Sequence, residues 1–197
     1  MRGLKNYNDI PEFTDSVKLP VGAYEVKILR AEEQDGKNNS CALCLLFDIA
    51  EGEYKDFYMQ RYNADKKSYP DNAKFKGVLR LWYPNGGQYD ENNEKRIKTA
   101  LERIKESNSS LKNIDFSKEW DGAKLKGCKV GMVFRDEEYD YNGRQGMKAQ
   151  PFQVITLEAL KEGKFTIPSP RYLNGSAPNA NTNTAEELPL DDDDLPF

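Results

Sequence analysis

The 197-residue chain contains no histidine. That absence removes the usual general base and the Ser-His and Cys-His nucleophile pairs, and it takes imidazole out of any metal site. Cysteine is nearly as scarce, with Cys41, Cys44 and Cys128 an odd set of three. Cys41-Ala-Leu-Cys44 has the spacing of half a zinc knuckle, but only one further thiolate exists to add to it. Both lie in the apolar run 41–47, so they read as core thiols of a reducing compartment. No apolar run approaches the length of a bilayer span, and residues 1–6 lack the apolar core of a signal peptide, so a cytoplasmic protein is expected. There is no internal repeat and no phosphate-cradling glycine loop of standard spacing. The last deficit is local. From Asn174 to the end there is no Lys or Arg, and there are six acids: Glu186, Glu187 and Asp191 to Asp194.

That asymmetry reinterprets the formal net charge of −4. Without the six tail acids, 27 acids face 29 bases, so residues 1–173 carry about +2. A slightly basic body with an acidic tail suits a nucleic-acid binder, although +2 does not require one. Hydrophobic residues are 38% and aromatics 11%, enough for one domain with a core.

Residues 1–18 show no period and read as an arm or loop. Ala23 to Ala31 alternates, with Tyr24, Val26 and Ile28 on one side and Glu25 and Lys27 on the other, which predicts a half-buried strand. Residues 34–40 form a turn-rich connection, and Cys41 to Ile49 reads as a mostly buried strand. Residues 54–62 are predicted as a third strand, with Phe57 and Met59 inward and Tyr58, Gln60 and Tyr62 outward. Beyond Asn63 the pattern turns helical: Phe75, Val78, Leu79 and Trp82 fall at i, i+3, i+4 and i+7, which assigns Trp82 to core packing. A second helix carries Ile97, Ala100, Leu101 and Ile104 on one face, with Glu94→Lys98 as a supporting pair. A strand from Leu125 to Arg135 follows, then a hairpin turn at Asn142-Gly143 and a returning strand from about Met147 to Leu157. The expectation is a mainly β fold with inserted helices: a five-stranded OB-fold barrel with a helical segment between strands 3 and 4. It would occupy residues 1–173, and residues 174–197 would be a flexible linker and disordered acidic tail.

The tail ends Asp191-Asp192-Asp193-Asp194-Leu195-Pro196-Phe197. Four adjacent carboxylates cannot be buried unpaired, and a solubilising tail has no need of a terminal Leu-Pro-Phe. The combination suits a gripped peptide: acids for a basic rim, Phe for an apolar pocket, the carboxylate for an amide-lined nest. This segment resembles the acidic tip of bacterial single-stranded DNA-binding proteins. The resemblance implies an OB-fold that binds the DNA and a tip that binds replication, recombination and repair proteins. The runs Leu19-Pro-Val-Gly-Ala-Tyr-Glu-Val-Lys-Ile28 and Phe47-Asp-Ile-Ala-Glu-Gly-Glu-Tyr54 are similar to a phage-encoded replication-region family, which implies a phage or mobile-element protein recruiting host enzymes.

Sequence-tolerant binding of single strands needs cations near phosphates and exposed aromatic faces for the bases. The expected DNA-contacting residues are Lys37 between the first two strands, Tyr58, Arg61 and Tyr62 on the third, and Lys66, Lys67 and Tyr69 after it. The last hairpin adds Arg135, Tyr139, Tyr141, Arg144 and Lys148. Each tyrosine has a packing alternative, because strands favour Tyr, and Asp136, Glu137, Glu138 and Asp140 count against the hairpin base as a phosphate site. The chain is expected to be no enzyme and to need no cofactor or metal; homo-oligomerisation stays open. The alternatives are a protein-protein adaptor whose OB-like barrel never touches DNA, and a carboxylate-and-metal nuclease.

Overall fold

The computed structural model describes residues 17–37, 40–141 and 144–173. The predicted arm before residue 17, the hairpin turn at 142–143 and the whole tail from 174, with its linker and tip, lie outside the described residues. Five strands form one antiparallel sheet: β1 (Ala23–Asp35), β2 (Cys41–Ile49), β3 (Val78–Trp82), β4 (Lys129–Tyr141) and β5 (Arg144–Ile155). Among the described residues three α-helices accompany them: α1 (Phe57–Ser68), α2 (Asp90–Ser107) and α3 (Leu157–Lys161). The order across the sheet is β3-β2-β1-β4-β5. Every neighbouring pair is antiparallel, so the two edge strands β3 and β5 run in the same direction. No ladder joins them among the described residues, so the five strands of the expected barrel form an open sheet.

The core follows from strand parity. Leu43, Leu45, Phe47 and Ile49 of β2 and Leu79 and Leu81 of β3 are buried in one cluster with Val26, Ile28, Val130, Met132 and Phe134. Helix α2 lies against it with Ala100, Leu101 and Ile104, the face its periodicity predicted. Its first residue secures the preceding loop: the Asp90 carboxylate accepts the N–H groups of Asn85 and Gly86. Its ion pairs are Lys95–Glu91 and Arg103–Glu106, rather than the expected Glu94–Lys98.

Two elements exchange the types expected of them. The segment predicted as the third strand is helix α1, and the segment predicted as a helix through Trp82 holds strand β3. Helix α1 buries only Phe57 and Tyr58, and Met59, expected inside, is exposed. What fixes α1 is a single carboxylate. Asp48 of β2 is buried and accepts the N–H groups of Ile49, Tyr58 and Met59 at 2.8–2.9 Å. It serves as the cap that Asp56, at the helix start, does not provide with its own side chain. For β3, the deciding fact is register: Leu79 pairs with Leu45 and Leu81 with Leu43, so Val78, Arg80 and Trp82 take the other face.

Candidate nucleic-acid interface

The face of the sheet opposite the core is assembled by the same parity. On β2 it is made of Ala42, Cys44 and Leu46, and Asp48 ends it. Their partners are Trp82, Arg80 and Val78 on β3, and Gln34, Glu32 and Arg30 on β1 after a bulge that follows Ile28. Cys44 is fully covered and donates its thiol to Gln34 at 3.3 Å; burial pushes that thiol above its ordinary pKa, so it is an inert part of the floor. Arg80 and Trp82 are half-buried and Arg30 is exposed, its guanidinium 2.6 Å from Glu32. The Trp82 indole lies over Gly36 in the β1–β2 turn, where a Cβ would stand 3.2 Å from the ring. Lys37 follows in the same turn and is exposed. Sequence periodicity assigned Trp82 to the core. The signal that could have found it is the alternation Leu79, Leu81 against Val78, Arg80, Trp82.

The second part is the arm formed where β4 and β5 continue past β1. The register pairs Arg135 with Gln150, Glu137 with Lys148, Tyr139 with Gly146 and Tyr141 with Arg144. It also pairs Asp136 with Ala149, Glu138 with Met147 and Asp140 with Gln145. Alternate residues point to opposite faces, so three of the hairpin acids share one face and both tyrosines occupy the other. Only Glu137 joins the tyrosine side, and it is ion-paired with Arg135 at 2.9 Å. The Tyr139 ring lies across Gly146 so closely that a Cβ there would be 2.7 Å from its hydroxyl and 2.9 Å from Cζ. A phenol flat against a glycine backbone leaves its other side for a further ring. Tyr141 is 57% exposed and Lys148 is exposed.

The remaining expected residues divide. Tyr58 was predicted on an outer strand face; it is buried, edge-on to Phe47 at 5.4 Å and to Phe57 at 5.2 Å. Burial, and secondarily the Asp48 charge, hold its phenol far above the ordinary value, so it is a core residue with no face for a base. Arg135 is equally unavailable as a phosphate contact. It is buried, its guanidinium 4.5 Å from the centre of the Phe152 ring, with Arg96 of α2 over the same ring at 5.7 Å. Arg96 also donates to the Phe152 carbonyl at 3.4 Å; its pKa is lowered first by burial, then by Arg135. This cluster joins α2 to the base of the arm. Arg61, Lys66, Lys67 and Tyr69 are exposed, but on α1 and the residue after it. Tyr62 is half-buried against Phe75, with Lys66 above its ring at 5.8 Å. The side chain of Arg144 and the residues Asp191, Asp192, Asp193, Asp194, Leu195, Pro196 and Phe197 lie outside the described residues.

The described residues contain no group of three or more His, Cys, Asp or Glu placed to hold a metal ion, and no helix long and apolar enough to cross a membrane. Compared with protein families and with curated proteins, the chain matches none.

Proposed function

We propose that this protein binds single-stranded DNA without strong sequence preference, and that its Asp191–Phe197 tip recruits replication, recombination or repair proteins. The observation that carries the reading is Trp82 next to Arg80 on the coreless face of β1, β2 and β3, with Arg30 further along the same face, in the row of Leu46 and Val78. Stacking surface and positive charge together on a strand face are what sequence-tolerant binding requires. The strand order supports it further. β3-β2-β1-β4-β5, with edge strands parallel to one another, is the order of an OB-fold opened at its last seam, and such barrels are commonly only partly closed. OB-folds take ligands across strands 2 and 3, between the β1–β2 and β4–β5 loops. Here those positions hold Trp82 and Arg80 on the strand face, Lys37 in the first loop, and Tyr139 and Tyr141 on the arm.

In this reading Trp82 and Tyr139 stack bases, and Arg80, Arg30, Lys37 and Lys148 neutralise phosphates. Arg30 exchanges Glu32 for a phosphate when the strand binds, so exposed ion pairing costs little to give up. No proton transfer or covalent step is involved. The test is a titration with oligo-dT that follows tryptophan fluorescence at several salt concentrations. Quenching is expected, with affinity falling linearly on a log–log plot against salt. Failure to bind at low salt, or equal preference for duplex, overturns the proposal. A protein-binding adaptor is the second reading, favoured by the carboxylate face Asp136, Glu138 and Asp140 on the arm; it predicts no oligonucleotide retention at all.

A further inference from the structure

The segment inserted between β2 and β3, read through β3 to Trp82, is one of two basic stretches in the body; the other, residues 95–129, holds ten Lys or Arg against five acids. Residues 54–82 hold seven Lys or Arg against three acids, a net +4, while residues 1–173 together carry about +2. Several cations of the other stretches are answered by carboxylates: Lys129 between Glu25 and Glu51, Lys95 with Glu91, Arg103 with Glu106, Arg135 with Glu137. In the insertion, Lys55, Arg61, Lys66, Lys67 and Lys76 are exposed, and none of them forms an ion pair among the described residues. Chain topology leaves this charge beside the sheet's outer face. Asp48, which holds the first turn of α1, stands on β2 in the parity of Ala42, Cys44 and Leu46. At the other end, Tyr62 packs edge-on against Phe75 at 6.0 Å, which ties α1 to the residues leading directly into β3 with its Arg80 and Trp82.

We propose that Lys55, α1 and the following residues through Lys76 form a second cationic track, which takes the phosphate backbone of a single strand that has already crossed Trp82. The inference rests on the DNA-binding reading above and adds the insertion to it. The charges are spread along a helix surface instead of converging on a pocket, which matches a polyanion of regular charge spacing. Aromatic rings lie among them: Arg61 is over Phe57 at 5.5 Å, and Tyr69 is 67% exposed. A surface of this kind contributes through counterion release and has no means of reading sequence.

The experiment compares the full chain with a Lys55→Gln, Lys66→Gln, Lys67→Gln variant. These are exposed side chains whose loss leaves the core and the Asp48 cap intact, and far-ultraviolet circular dichroism checks that the helix content is retained. Two oligo-dT lengths are used: one at the short end of the roughly 4–16 nucleotide footprint of a single OB-fold, one about three times longer. The short oligonucleotide is expected to bind both proteins alike. For the long one, the salt slope of the variant should fall by about 2, at about 0.7 for each of three phosphate contacts on a single strand. An unchanged slope for the long oligonucleotide overturns the track while leaving the Trp82 site standing. Equal loss on both lengths also overturns it, because the insertion would then be part of the primary footprint. If the wild type binds neither length, the DNA reading itself fails. If a synthetic Asp-Asp-Asp-Asp-Leu-Pro-Phe peptide binds the wild type but not the variant, while oligonucleotide affinity is unchanged, the surface belongs to an acidic peptide.

Discussion

Trp82 and Tyr139 are held in place by what lies beneath them, which is glycine in both cases: Gly36 under the indole and Gly146 under the phenol. A side chain free to swing would lose conformational entropy on stacking, whereas a ring already lying on backbone has little left to lose. Replacing Trp82 by Ala is therefore expected to weaken oligo-dT binding by about 1–3 kcal/mol, the usual worth of one base–aromatic stack. Fluorescence anisotropy with labelled oligonucleotide reads this directly. Gly146→Ala is the sharper variant, because it touches no DNA. Its methyl would displace the Tyr139 ring and should reproduce much of the loss seen in Tyr139→Ala. Normal affinity in Gly146→Ala would show that Tyr139 serves only to pack the arm.

Helix α1 shows why local pattern and final structure part company. Its only buried residues, Phe57 and Tyr58, are adjacent in sequence, so it has no stripe at helical spacing, and Phe57 and Met59 alternate with polar neighbours like a strand. The chain becomes helical there because Asp48, nine residues before Phe57, offers a buried carboxylate to its first turn. That contact is tertiary and invisible to periodicity. The opposite error at Trp82 has the same root, since Phe75, Val78, Leu79 and Trp82 match helical spacing by coincidence while cross-strand pairing with β2 governs. By contrast β2 and the buried face of α2 were legible, because the run 41–47 is continuously apolar and Ile97 to Ile104 keeps one helical face. The arm was legible as a hairpin, yet the separation of its acids from its tyrosines needed the register. Asp48→Ala should cost about 2–4 kcal/mol in urea unfolding, since it leaves buried N–H groups without an acceptor. Burial holds the Asp48 carboxyl above the ordinary carboxylate range, outweighing the three N–H donors that pull it down. The folded chain thus binds that proton more tightly than the unfolded one, whose value is about 3.9, and this group's contribution to stability falls as pH rises through its folded pKa. In Asp48→Asn that part of the pH slope should vanish.

Across the whole molecule, the two proposed functions separate by position and by charge. The proposed DNA-contacting cations lie on the sheet and around α1, and residues 174–197 carry six acids without a single base. Removing residues 191–197 is expected to leave affinity for oligo-dT equal or slightly higher, and to abolish capture of replication or repair proteins in pull-downs. Loss of DNA binding on that deletion would make the tail structural and overturn the division. The point where the tail departs is fixed. The Arg171 N–H donates to the Asp136 carbonyl, and its own carbonyl accepts from Glu138, so the chain is stitched to the free edge of β4 at the base of the arm. From Leu173 onward 24 residues follow, and a chain spans at most about 3.5 Å per residue. In the proposed role, an enzyme caught by residues 191–197 is leashed within about 85 Å of the arm, and the stitch at Arg171 sets where that search volume is centred.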